Sequence, residues 1–177
     1  LESQNKSLAL WMCKQSGADE CVHMVNVEGL SPYDLARNSG QIEVSTVLLQ
    51  IAENKKVNDA IKFNSERLLS ECAKGHWAAA NMLMKTFTGP KVMDLDWLHV
   101  ESGKHAIHFC SEGGSIECVS TLIALGAETN AFDSTAMKLT ALHYACAGGH
   151  LDIADALLSH DDATLDAEDQ AGFTPVF

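Results

Sequence analysis

The stretch TALHYACAGGHLDIADALLSH, from Thr140 to His160, decides how the rest of the chain is read. Thr140 is of a residue type that caps helix N-termini, its hydroxyl suited to take an orphan backbone N–H. Leu142, Ala145 and Cys146 follow at helical spacing and make one apolar face. Gly148 and Gly149 stop that helix, because glycine accepts the left-handed turn beyond it. Ile153, Ala156, Leu157 and Leu158 then form the buried side of a second helix. The small residues Ala141, Ala145 and Ala147 let neighbouring helix pairs approach closely. One such pair has no way to bury both faces, so it must stack on another.

Copies of the stretch recur along the chain. HAIHFCSEGGS begins at His105, ERLLSECAKGH at Glu66 and SPYDLARNSGQ at Ser31, at successive offsets of 35, 39 and 35 residues. Downstream, TPVF begins at Thr174, 34 residues after Thr140. Each copy continues into a second apolar run: IEVSTVLLQIA, WAAANMLMKTF, IECVSTLIALGA and LDIADALLSHDDA. A polar connection with Asn, Asp or Gly then leads to the next. LALWMCKQSGAD reads as the second helix of a copy whose start is missing, and GFTPVF as the opening of another. A fragment of a longer protein is therefore expected.

The pattern resembles the ankyrin repeat family. TALHYACAGGHLDIADALL and DATLDAEDQAGFTP lie close to that family's T-P-L-H-x-A start, G-H turn, leucine-rich second helix and D-x-x-G-x-T-P β-turn. The resemblance implies an all-α repeat solenoid, with stacked helix-turn-helix repeats linked by β-turns or short hairpin loops. It makes residues 1–177 a single ankyrin repeat domain. Within it lie the end of a truncated repeat at 1–29, repeats at 30–64, 104–138 and 139–172, a divergent repeat at 65–103, and the start of another at 173–177. The 65–103 copy diverges because ERLL replaces T-P-L-H, and because Glu71 sits where the family has a small buried alanine. Its connection, Lys85 to Lys104, is about four residues longer than the repeat period needs, and carries Trp97 and an early Gly89-Pro90 break. The connection ETNAFDSTAMKLT is also slightly long.

The same resemblance gives the histidines structural roles. His108 and His143 match the histidine of T-P-L-H, which bonds within and between repeats. His76 and His150 match the turn between helices, where the ring bonds backbone. His99 and His105 stand near Asp94, Asp96, Glu101 and Cys110, but their spacing fits no metal site. No H-E-x-x-H, phosphate-binding loop or calcium loop is present. SEGGS at Ser111 reads as a helix-ending turn, and the acidic run near the C-terminus lacks the calcium loop's spacing and closing glutamate. The expectation is a chain with no catalytic residues, no metal, no cofactor and no enzymatic activity of its own.

Charge narrows the partners. The chain of 177 residues has a net charge of −12, and no Lys or Arg follows Lys138. That repels nucleic acid and anionic membranes and favours a basic partner. Lys55, Lys56 and Lys62 form only a small local cluster, too little for nucleic acid. No apolar run reaches the length of a membrane span, and no signal peptide is evident, so membrane insertion is not expected. The six cysteines form no C-x-x-C pair, and are read as reduced and mostly buried. A cytoplasmic setting follows, with the nucleus open.

Ankyrin-like stacks recognise other proteins on a concave surface of β-turn tips and first helices. The tips implied here are Glu28 and Leu30; Lys62, Phe63 and Ser65; Glu101, Ser102 and Lys104; Met137, Lys138 and Leu139; and Gln170, Ala171 and Phe173. Helix ends add Asn38, Ser39, Ala73, Lys74, Glu112, Gly113, Ala147 and Gly148. Apolar residues at a tip have no folding need, so Phe63, Met137, Leu139 and Phe173, with Trp97 on the long connection, are the expected anchors. Leu30, Lys74, Lys104, Glu112 and Lys138 complete the candidate partner-binding set. The expected function is a non-catalytic protein-interaction module for a basic or amphipathic segment. The alternative is a targeting or substrate-recruiting region of a larger enzyme.

Overall fold

The computed structural model describes residues 25–26, 29–87, 92–160 and 165–176. The expected second helix within 1–29, Glu28, the Gly89-Pro90 break and Cys13 and Cys21 lie outside the described residues. The described elements are α1 (Pro32–Asn38), α2 (Ile42–Ala73), α3 (Trp77–Thr86), α4 (Ala106–Glu112), α5 (Ile116–Ala124), α6 (Ala141–Gly148) and α7 (Leu151–Leu158). No strand occurs among the described residues. The chain divides into two compact units, residues 1–59 and 60–177.

In the first unit, Ser31 caps α1. Its hydroxyl bonds the Asp34 carboxylate at 2.6 Å, and that carboxylate accepts the Ser31 N–H in return. A small core of Ala36, Val44 and Leu48 forms, with Tyr33, Ile51 and Ala52 against it.

The second unit holds the larger core. Leu68, Cys72, Met84, Ile107, Leu122, Ile153 and Leu157 are almost wholly excluded from solvent within one continuous cluster. Burying each large aliphatic chain contributes about 1.5–3 kcal/mol. Helices α4 and α6 pack closely, as do α5 and α7, so each copy stacks on the next. Ala141 and Ala145 are buried at this contact as expected, but Ala147 is exposed. On α7 the buried side is Ile153, Ala154 and Leu157, while Leu158 faces solvent.

The helix-ending turn fixes the register of the repeat. Gly40, Gly75, Gly114 and Gly149 all have φ between 71 and 75°, and they stand 35, 39 and 35 residues apart. The following N–H bonds back to the helix each time: Gln41 to Ala36, His76 to Glu71, Ser115 to Cys110 and His150 to Ala145. The divergent copy therefore shares the turn. Glu71 does occupy the place of Cys110 and Ala145, and it keeps its carboxylate near solvent, on the exposed His76 ring.

The proposed boundary at 64/65 falls inside α2, a continuous helix of 32 residues. Residues 41–74 contain neither glycine nor proline, and Glu53, Lys55, Lys56, Ala60, Lys62 and Glu66 are good helix formers. Nothing in this stretch punctuates the helix.

Candidate functional site

Among the described residues, four loops, here called fingers, precede first helices or close the last copy. Each closes with a backbone bond across its base: Asn26 to Leu30, His99 to Lys104, Asp133 to Leu139 and Asp169 to Phe173, all at 2.8–3.0 Å. An Asn or Asp carbonyl or carboxylate oxygen organises three of them. Asn26 Oδ1 accepts the Leu30 N–H, Asp133 Oδ1 those of Thr135 and Leu139, and Asp169 Oδ1 those of Ala171 and Phe173. Burial pushes the Asp133 pKa up. Hydrogen bonds from Tyr144, Thr135 and Leu139 outweigh that and hold it below the usual carboxylate value.

The residue at the finger bend has positive φ in every case: Gly29, Gly103, Lys138 and Gly172. Three are glycine; Lys138, at φ 52°, is not. The matching position in the divergent copy, Asn64, lies within α2. No finger forms there, so Lys62, Phe63 and Ser65 are helix residues and not a tip. Phe63 is nevertheless exposed.

In the second unit the fingers join edge to edge. Ser134 N–H donates to the Gly103 carbonyl at 2.7 Å, and Gln170 N–H to the Met137 carbonyl at 2.8 Å. The first helices support them through histidine. His108 Nδ1 accepts the His105 N–H at 3.0 Å, and its Nε2–H donates to the Ala131 carbonyl at 2.9 Å. His143 repeats the arrangement one copy on, with Thr140 and with the Phe173 carbonyl at 3.1 Å. Thr140 caps α6 in a capping box with His143, and its hydroxyl also bonds the His143 ring at 2.8 Å. Because Nδ1 accepts a backbone N–H, each ring turns its Nε2–H toward the carbonyl. Burial lowers the His108 pKa to about 4.

The turn histidines differ from each other. His150 Nε2 bonds the Glu112 carbonyl of the preceding copy at 3.2 Å, as expected. His76 bonds the Glu71 carboxylate at 2.9 Å instead of backbone. Beside it, the Trp77 ring lies so close over Gly113 of the following copy that an added Cβ would meet it at 2.1 Å. His99 and His105 also turn apart: His99 bonds Ser102, and His105 bonds the Asp96 carbonyl.

Between fingers and helices lies a cation–π cluster. Lys104 Nζ sits 4.2 Å from the Tyr144 ring centroid and 5.6 Å from that of Phe109. It pairs with Glu112 at 2.7 Å, and the Tyr144 hydroxyl donates to Asp133 at 2.6 Å. Lys104 is thus largely buried at 14% side-chain exposure and serves the fold, while Glu112 stays half exposed. Lys74 pairs with Glu71 at the helix end.

The expected anchors separate into two groups. Met137 and Phe173 are half exposed on adjacent fingers. Leu139 is partly buried at a finger base, and Trp97 packs against the core. Around Trp97 the long connection is pinned by Asn64 on the Val92 carbonyl and by the Asp94 N–H on Ser65, each at 2.8 Å. Leu30 is partly buried in the first unit. Two exposed apolar finger residues escaped the sequence reading: Val100, 90% exposed, and Phe132, 46% exposed. They precede the bend by three and six residues, outside the three-residue window taken as the tip.

Paired helices closed by a left-handed glycine, joined by fingers and stacked through histidine-to-carbonyl bonds, define a helical repeat solenoid. The model of the family of ankyrin repeats, in three copies, matches residues 72–171, and the chain belongs to the ankyrin repeat family. It is similar to the nuclear factor NF-kappa-B p105 subunit of Gallus gallus, 29% identical over 155 residues, which cover 88% of this chain and 15% of that protein. It is similar also to protein phosphatase 1 regulatory subunit 27 of Mus musculus, 37% identical over 89 residues, 50% of this chain and 55% of that one. The probable E3 ubiquitin-protein ligase XBOS33 of Oryza sativa subsp. japonica is 31% identical over 94 residues, 53% of this chain and 17% of that one. The chain thus spans about a seventh of the first relative's length and about half of the second's. Repeats of this family are protein–protein interaction modules. No helix among the described residues is long and apolar enough to cross a membrane.

Proposed function

We propose that the chain is a non-catalytic binding module whose finger face, in the unit spanning 60–177, takes a basic or amphipathic segment of a partner protein. The observation that carries this reading is the set of exposed apolar side chains on successive fingers: Val100, Phe132, Met137 and Phe173. Backbone bonds fix the spacing of these fingers, so the surface is ordered before a partner arrives. Glu101, Glu112, Glu128 and Glu168 bring solvent-accessible carboxylates to the same connections and helices, which supports a basic partner. Lys138 keeps a strained backbone where its sister fingers have glycine, which supports a contact role for it. The free buried thiols support a cytoplasmic or nuclear setting.

The test is affinity capture from cell lysate, with mass spectrometry, for the wild type beside a Met137→Ala/Phe173→Ala variant shown to be folded by circular dichroism. Specific proteins held by the wild type and lost by the variant are expected. Equal retention by both would overturn the assignment of this face. A second reading, a recruiting region within a larger enzyme, draws on the likeness to the rice ubiquitin-ligase relative. In that reading the captured proteins would be substrates, modified only when the whole enzyme is present.

A further inference from the structure

Three cysteine side chains meet where the divergent copy packs on its neighbour. Cys72 comes from α2, Cys110 from α4 and Cys118 from α5, and all three are at most 1% exposed. The Cys72 and Cys110 sulfurs stand 3.9 Å apart, 38 residues distant in sequence. The Cys118 thiol also lies against Cys110, but it donates to the Trp77 carbonyl at 3.3 Å. All are free thiols. Nothing in the binding face uses them.

We propose that Cys72 and Cys110 are a latent oxidation site, which a peroxide joins as a disulfide stapling two adjacent repeats. In the net reaction both S–H bonds and the peroxide O–O bond break, and one S–S bond forms. Two protons and two electrons pass from the thiols to the peroxide, which leaves as two molecules of water. An S–S bond is about 2 Å long, so the sulfurs must close by roughly another 2 Å. Cys118 is the competing partner: the hydrogen bond with Cys110 brings its pKa down to about 7, while its thiol also reaches the Trp77 carbonyl.

Burial sets the rate. Hydrogen bonding with Cys118 and with Cys72, and then burial, hold the Cys110 thiol protonated well above its ordinary range. A protonated, buried thiol is a weak nucleophile, so the staple forms during local opening and not in the closed state. Oxidation is therefore expected to be slow in buffer and faster in sub-denaturing urea.

The experiment treats the reduced chain with hydrogen peroxide, with and without such urea, and blocks remaining thiols. Digestion with trypsin and a Glu-specific protease follows, because Glu112 and Glu117 separate Cys110 from Cys118. The expected result is a Cys72–Cys110 linked peptide pair, a mass loss of about 2 Da before blocking, faster formation in urea and a raised melting temperature. Pairing of Cys110 with Cys118, separate sulfinic acids at Cys72 and Cys110, or persistence of both as thiols while the other cysteines oxidise would each overturn the proposal. Because the wild-type chain is mapped directly, the result does not depend on a variant folding. A Cys72→Ala chain adds a control, in which Cys110 should form no linked peptide.

Discussion

Acidification should weaken this protein through His108, and the size of the effect follows from its surroundings. The ring is fully buried. Burial is the chief cause of its lowered pKa, with His105 and Lys104 adding to it, while the Ala131 carbonyl and Asp133 act in the opposite direction. Protonation would also turn Nδ1 from acceptor to donor, facing the His105 N–H it now accepts. The folded value of about 4 lies below the ordinary 6.5. Between these values the unfolded chain holds a proton that the folded chain refuses. The contribution is thus complete above pH 6.5 and is lost as pH falls toward 4. At ~1.36 kcal/mol per unit this amounts to about 3 kcal/mol, of which about 2–3 is gone by pH 4.5. The comparison variant is His108→Gln. His108 is the third residue of α4, where glutamine can still reach back to the N-cap N–H without titrating. Urea unfolding of both chains at pH 7.5, 5.5 and 4.5 should show the wild-type midpoint falling by about 1 M more than the variant's. The variant starts less stable, so the slope with pH is the quantity read. Asp133 and Glu71 titrate below their ordinary values in both chains and cancel in the comparison. Equal losses in both chains would refute the assignment of the pH dependence to His108.

Three further outcomes are expected. Gly149 has φ 71°, and open space lies around any added Cβ, so Gly149→Val should cost about 1–2 kcal/mol from backbone strain alone; an unchanged melting temperature would contradict this. Lys138→Gly should stabilise by about 0.5–1 kcal/mol in thermal or urea unfolding, the relief of left-handed strain exceeding the added unfolded-state entropy; a loss of stability would show that the lysine side chain itself holds the finger. Amides of residues 66–84 should exchange faster than those of 140–158, since the divergent copy has neither its own finger nor the T-x-x-H bond; equal protection in hydrogen exchange would refute it.

The repeat was legible because its signals are local. A left-handed glycine needs no tertiary context to be recognised, and the spacing of Gly40, Gly75, Gly114 and Gly149 matches the spacing of the sequence copies. The second helices were harder. Ile153 and Leu157 were read correctly, but Ala154 took the buried place assigned to Leu158, because a short helix has several rotations that bury an apolar face. The missing finger at 62–65 was legible too, in the lack of glycine and proline from 41 to 74, but the period encouraged a break there. The anchors divide on a similar line. Met137 and Phe173 follow from their place beside a bend. Trp97 does not, because an irregular connection docks according to partners such as Asn64 and Ser65 that no period specifies. Val100 and Phe132 stand beside the closing bonds at His99 and Asp133, ahead of the bends, where distance from a bend gave no sign of their exposure.

The His143 bond places one seam of this solenoid away from the seam of its sequence. His143 belongs to one copy, but its acceptor is the carbonyl of Phe173, past the point where that copy ends by period. His108 makes the corresponding bond to Ala131, inside its own copy. A chain cut between copies at residue 172 would leave the His143 proton buried beside an empty acceptor site, a loss of about 1–3 kcal/mol. Recombining repeats among such proteins therefore works best when each cut falls just before the next T-P-L-H helix, so that every helix pair travels with the finger that follows it.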